Sequence, residues 1–338
     1  MKATVYNGNQ SFTVIEKEID APKSGEVRIK VAYSGVCGTD VHIYHGMMDK
    51  RVSIPQTIGH EMSGVIDAVG EEVEGFAEGE KVVVRPLDDR LVKASDKGFN
   101  HICEKLKFIG IDSPGSMQQY WNVPAFVLHK LRAETDLKLA ALIEPLSVAV
   151  HDVRMSGLVA GETAVVLGGG PIGLLVAMVA KEAGAKVIIS EVNETRIKMA
   201  KDFGFEAVNP TKIDIVQFVR DQTEGRLADV VFEVAGVQPA LDVMTELAGI
   251  RGRIVMVAIH GQKKPVDLFK FFWKELKLIG ARVYEKEDYE KAIELITANE
   301  LPFEKMITDV QPLSNIQQVF ENIDKNPDGL KVLMDCQL

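Results

Sequence analysis

The sequence predicts an α/β protein of two parts, one rich in β-strand and one built on a doubly wound parallel sheet, and three observations carry this. The 338 residues suit about two domains of roughly 150 residues, and 46% hydrophobic with 26% charged residues is the balance of a globular chain with a large core. Over residues 1–150, short β-branched runs alternate with Gly and Pro punctuation. Over residues 161–282, short apolar runs alternate instead with helical periodicity, the pattern of parallel strands joined by helices.

In the first part, residues 26–31, 63–69, 81–84 and 118–123 read as strands. In the second, strands are expected at 163–167, 186–190, 206–208, 229–233, 253–257 and 276–279, with helices at 172–182, 194–203, 214–222 and 239–247. Six strands with crossovers fit a dinucleotide-binding sheet. The tail carries helical stretches at 286–299 and 313–326 and a closing strand at 329–334, without further repetition of that pattern.

Charge and cysteine usage exclude several functions. A formal net charge of −10 argues against nucleic-acid binding, which needs concentrated Lys and Arg on phosphates. The start MKATVYNGNQ lacks the basic, apolar and small-residue regions of a secretory signal, so a cytoplasmic protein is expected. The longest apolar run, 167–183, is broken by Gly and Pro and ends in Lys181 and Glu182, so no membrane span is expected. Three cysteines, Cys37, Cys103 and Cys336, make no disulfide framework.

The expected cofactor site begins in the run Val165 to Gly173, VVLGGGPIG, where a strand passes into a G-x-G-x-x-G turn formed by Gly168, Gly170 and Gly173. The first glycine permits the tight turn, the second admits a pyrophosphate against the backbone, and the third lets the helix pack on the strand. Pro171 suits the first helical position, whose N–H has no intrahelical partner, and with Ile172 it opens the helix whose positive end faces the anion. The next strand ends at Glu191, close to the roughly 20-residue spacing of the acid that receives the ribose hydroxyls. A carboxylate there repels a 2′-phosphate, and Val192 and Asn193 follow it, so NAD(H) is expected over NADP; Arg196 and Lys198 lie slightly further on and soften that preference. Arg196 joins the expected cofactor-binding set.

Chemistry of a second kind lies in GVCGTDVH, which holds Cys37, and in Gly59-His60-Glu61. A thiolate, an imidazole and a carboxylate are zinc donors, and three protein ligands with an open fourth position describe a catalytic site. The soft thiolate disfavours magnesium and calcium.

The set GVCGTDVHIYHG, IGHEMSGVIDAVG, LIEPLSVAVH, VLGGGPIG and GLKVLMD resembles the zinc-dependent medium-chain alcohol and polyol dehydrogenases, in particular the sorbitol and butanediol dehydrogenase branch, along essentially the whole chain. The resemblance implies a GroES-like catalytic domain from residues 1–150 and 285–338, with a Rossmann NAD-binding domain at 151–284 between them. It implies that Cys37, His60 and Glu61 hold one catalytic zinc per subunit, and that Glu144 is a further ligand or a partner of the zinc-bound water. Thr39 and His42 match the hydroxyl and imidazole that relay the alcohol proton; His45 matches at most a neighbouring pocket position. The implied reaction is reversible NAD-dependent oxidation of a secondary alcohol or polyol to the ketone, by hydride loss from a zinc-bound alkoxide. The partners are then a small-molecule substrate and, by resemblance, further copies in a homotetramer or homodimer.

The chain departs from the family at its second metal site. Many members carry a structural zinc on four cysteines; here the matching positions hold Asp89, Val92, Ser95 and Cys103, which cannot make a closed tetrahedral set, so no structural zinc is expected. The polar stretch 88–100 is then expected to be a loop held by subunit contacts or left mobile. Tyr44, Ile109, Phe271 and Arg282 are the substrate-pocket candidates. An L-threonine 3-dehydrogenase-like enzyme, a zinc-free quinone or enone reductase, and a non-catalytic protein that retains the fold are the alternatives. Threonine dehydrogenases usually carry Asp at the position of Glu144, a zinc-free reductase does not need Cys37, His60 and Glu61 together, and the complete proton relay argues against a non-catalytic role.

Overall fold

The computed structural model describes residues 1–326 and 328–338. The chain divides into two compact units, residues 1–144 with 289–338, and residues 145–288.

In the first unit the strands, numbered in chain order, are β1 (Lys2–Tyr6), β2 (Phe12–Glu16), β3 (Glu26–Gly35), β4 (Glu61–Val69), β5 (Lys81–Val84), β6 (Leu87–Asp88), β7 (Lys107–Phe108), β8 (Tyr120–Pro124) and β9 (Leu128–Lys130). The second unit supplies β10 to β15, and the chain then returns as β16 (Ile307–Pro312) and β17 (Lys331–Asp335). A seven-stranded sheet runs β16-β17-β3-β4-β5-β9, with β8 also paired to β3. The tail therefore completes the first unit: β17 pairs antiparallel with β3, with Leu333 opposite Gly35. Alternation along β3 buries Val27, Ile29 and Val31, the period-2 pattern of a strand with one face in the core.

The helix α1 (Gly38–Tyr44) follows β3 directly and is fixed by a knot of rings. Phe12 stacks on Phe320 at 4.7 Å between centroids, and Tyr44 meets Phe320 at 5.2 Å. Tyr44 is thus buried in an aromatic cluster with Tyr6, Phe12 and Phe320, not in a substrate pocket as expected, because a large ring gains more from burial against other rings than from solvent. His45, at the end of α1, pairs with Asp324 at 2.9 Å, a structural contact.

The second unit is a six-stranded, wholly parallel sheet in the order β12-β11-β10-β13-β14-β15. Its members are β10 (Thr163–Leu167), β11 (Lys186–Ser190), β12 (Glu206–Val208), β13 (Ala228–Glu233), β14 (Ala248–Met256) and β15 (Lys277–Gly280). This is the doubly wound order in which a dinucleotide binds where the strand order reverses, beyond the carboxyl end of β10. Val165, Leu167, Ile188, Val231 and Ile254 pack on Val219, Leu241 and Met244 to make the core, each buried apolar side chain contributing about 1.5–3 kcal/mol. Phe271, the second pocket candidate, packs partly buried against this core. β14 begins five residues before the expected start, in a stretch where its register with β13 shifts between Ala228 and Val230.

The stretch 88–100 is a loop with short 3₁₀ turns, held within the chain by its own ion pairs and hydrogen bonds. Asp89 pairs with Arg85 at 3.0 Å, Asp88 takes both nitrogens of Arg90, and Lys93 pairs with Glu104. Asp96 accepts the backbone N–H groups of Lys93 and Glu104 at 2.7 and 3.1 Å, closing two short 3₁₀ turns. Cys103 is buried and Val92 is exposed. Among the described residues no helix is long and apolar enough to cross a membrane.

Candidate active site

The register of β3 and β4 assembles the thiol, imidazole and carboxylate. Gly35 lies opposite Glu61 at the ends of the two strands, so Cys37, just past one end, and His60, just before the other, arrive at the same place. The ligand atoms of Cys37, His60 and Glu61 lie within 4.8 Å of one another. His60 and Glu61 are buried, and the imidazole is held edge-on to Phe108 at 5.1 Å.

Cys37 is the N-cap of α1, where its Sγ accepts from Thr39 N at 3.5 Å. Asp40, fully buried, completes a capping box: one carboxylate oxygen accepts from Cys37 N at 2.9 Å and the other stands 3.7 Å from His60 Nδ1. Burial raises the Asp40 pKa, only partly countered by His60 and the Cys37 N–H. Burial disfavours the charged His60 ring, yet Asp40, Cys37 and Glu144 outweigh it and push its pKa up to about 10. The buried Nδ1 of His60 and Oδ1 of Asp40 have no other hydrogen-bond partner and face one another, which orients the imidazole from behind. A soft thiolate, an imidazole and a carboxylate fit zinc.

Glu144, at the start of the helix α2 (Ile143–Ser156), is buried and acts on His60 and Tyr289 electrostatically, but stands outside the trio of converging ligand atoms. Thr39 is half-buried and His42, three residues on along α1, is exposed, so the two share a face leading outward. Two polar contributors went unread in the sequence. Asp40 carries a local signal, standing three residues after a capping Cys; Lys331, whose Nζ touches Glu61, is brought there only by sheet pairing.

In the second unit the glycine turn is built as expected. A Cβ at Gly173 would stand 1.9 Å from the carbonyl oxygen of Gly168, so only glycine lets the helix Pro171–Glu182 begin this close to β10. Glu191 is buried, and its carboxylate accepts from Gly169 N at 2.7 Å, Val192 N at 2.7 Å and Asn193 N at 2.8 Å. The guanidinium of Arg196 lies over the turn, 3.5 Å from where a Cβ of Gly170 would be. A second converging set, His151, Glu285 and Asp288, is an ion-pair cluster, since Arg154 donates to both Asp288 and Glu285.

Fold and site together give a trio that could hold a metal ion in one unit and a glycine turn at the start of a helix in the other. Two family models match: an alcohol dehydrogenase GroES-like domain over residues 23–133 and a zinc-binding dehydrogenase over residues 171–298. The chain belongs to the zinc-dependent medium-chain alcohol and polyol dehydrogenases. It is 57% identical to the 2-dehydro-3-deoxy-L-galactonate 5-dehydrogenase of Pseudoalteromonas atlantica, over 99% of each chain. Identity to the sorbitol dehydrogenase of Halalkalibacterium halodurans is 34%, again over 99% of each. The crystal structure of 2R,3R-butanediol dehydrogenase from Bacillus subtilis superposes with a TM-score of 0.90, at 30% identity and 99% coverage of both chains. The enzyme thus combines zinc with a nicotinamide cofactor.

Proposed function

We propose that this enzyme uses NAD to oxidise the secondary C5 hydroxyl of a 2-keto-3-deoxy sugar acid. The observation that carries this is the 57% identity, along the full length, to an enzyme named for that reaction on 2-dehydro-3-deoxy-L-galactonate, against 34% for the sorbitol enzyme.

Cys37, His60 and Glu61 hold one zinc, with Glu144 beside them, which assigns the metal to the first unit and the dinucleotide to the second. Zinc there supplies a Lewis acid that stabilises negative charge on the substrate oxygen. Thr39 takes the hydroxyl proton and His42 passes it to solvent, a route supported by their burial and spacing on α1. Gly168, Gly170, Pro171, Ile172 and Gly173 receive the pyrophosphate, with Arg196 over the turn, and Glu191 receives the adenosine ribose and repels a 2′-phosphate. No second zinc is required, because charge pairs and Asp96 hold the 88–104 stretch.

The assembly is proposed to be a homodimer through β15. Among the described residues that strand has a partner, β14, on one side only, and Leu278 (51% exposed) on it and Phe272 (78%) and Trp273 (68%) in the preceding helix are open to solvent. A second copy satisfies both the open backbone edge and the apolar surface by antiparallel pairing.

The test is a screen of NADH formation on 2-dehydro-3-deoxy-L-galactonate, sorbitol, 2,3-butanediol and L-threonine, with NAD and NADP, and zinc quantified on the same sample. The sugar acid with NAD is expected to give the highest kcat/KM, at one zinc per chain. A higher value on a neutral polyol or on threonine sinks the substrate assignment; two zincs per chain sink the single-metal reading.

A further inference from the structure

Lys331 is a buried cation to which the chemistry above gives no part. It opens β17 with 3% of its surface exposed, and its Nζ donates to the carbonyl of Val36 at 3.1 Å and touches Oε2 of Glu61. An ammonium stays buried only where partners replace water, and both partners here belong to the metal site: Val36 precedes Cys37, and Glu61 is itself one of the trio. The same oxygen is confined from another direction, since a Cβ at Gly35 would stand 2.3 Å from Glu61 Oε2. Backbone on one side and an ammonium on the other fix this carboxylate in one orientation.

We propose that Lys331 is a positioning residue of the metal site: it retains Oε2 of Glu61, so that Glu61 offers the metal a single oxygen, and its charge weakens Glu61 as a donor. The inference rests on the reading of Cys37, His60 and Glu61 as the metal ligands. Two consequences make this useful to the reaction. A catalytic metal needs an open coordination position, which a carboxylate bound through both oxygens would fill. A dication among Cys37, Glu61 and Glu144, with Asp40 behind His60, is also surrounded by negative charge. A fixed cation on one of those anions preserves the pull on a substrate oxygen.

The experiment compares the wild type with Lys331→Met and Lys331→Arg, each loaded with zinc or with cobalt as a visible probe. Metal retention by the wild type, lost on Cys37→Ser, is measured first; its absence would defeat the ligand reading itself rather than the role of Lys331. In Lys331→Met the second oxygen of Glu61 is expected to join the metal. Cobalt absorption then weakens as tetrahedral geometry is lost, and release to a chelator slows because a ligand oxygen is gained, by about the tenfold that is the size of outer-shell effects on affinity. Lys331→Arg is expected to return both readings toward the wild type. An unchanged cobalt spectrum, or faster release with that spectrum intact, overturns the proposal. Lys331→Gln, which keeps a donor for Val36, is judged by the same two readings should the Met variant not fold. NADH binding, read by fluorescence, monitors the second unit and is expected to stay within twofold throughout.

Discussion

Cys37 combines two tasks in one side chain: it caps α1 through its sulfur and it brings that sulfur to His60 and Glu61. Replacing it by serine keeps a capping oxygen but removes the soft donor, so the fold is expected to survive while the metal is lost. Cys37→Ser should lower turnover more than about 100-fold, beyond a typical outer-ligand change, with zinc content near zero and NADH binding retained. Full activity without metal would refute the site. Glu191 is tied by three backbone N–H groups, which holds its charge at the mouth of the glycine turn. Hydrogen bonds to a charged group contribute about 1.5–3 kcal/mol, so Glu191→Ala should raise KM for NAD about 10- to 100-fold and improve the use of NADP. Steady-state kinetics with both cofactors decides it, and unchanged selectivity removes the assigned role. Both residues were legible in the sequence because their signals are local: Cys37 stands beside a glycine just past a strand end, and Glu191 ends the strand that follows the glycine turn. Lys331 was not, since its link to Glu61 crosses hundreds of residues.

Among the elements, α2 and the helix Lys286–Ala298 are joined by charge. Asp288, buried, accepts from His151 at 2.7 Å and from Arg154 at 2.7 and 2.9 Å. Burial works against the charged form, yet the hydrogen bonds from His151 and Arg154 prevail and hold its carboxyl well below the usual carboxylate range. A depressed folded pKa means the contribution is present above the unfolded value of about 3.9 and is lost as pH falls toward the folded one. Asp288→Asn should therefore cost about 3–5 kcal/mol at pH 7, the loss expected when one partner of a buried pair is removed. Urea unfolding across a pH series should show the difference between wild type and variant shrinking below about pH 4; a constant difference would contradict this origin. Bounds of regular elements were readable where pattern and packing agree: β10 and β11 begin and end where periodicity puts them. The helix Leu268–Lys274 was missed because its exposed Leu268, Phe269, Phe272 and Trp273 give no two-faced pattern.

For the whole molecule, assembly hangs on the free edge of β15. An exposed edge flanked by large apolar side chains is an aggregation hazard unless a defined partner covers it. Leu278→Lys with Trp273→Glu should convert the proposed dimer to monomer, measured by light scattering, while leaving one zinc per chain. An unaltered mass would move the interface elsewhere.

By itself the sequence determined the parallel α/β unit, the glycine turn with Glu191, and the donor types Cys37, His60 and Glu61, because helix periodicity, turn chemistry and metal preference are properties of short stretches of chain. Only the tertiary structure decided what distance along the chain conceals. Pairing of β17 with β3 brings Lys331 to Glu61, rings from three separate segments enclose Tyr44, and charge pairs hold the 88–104 stretch. These contacts depend on which strand pairs with which and which side chains are left to share a space, and no local pattern encodes that choice.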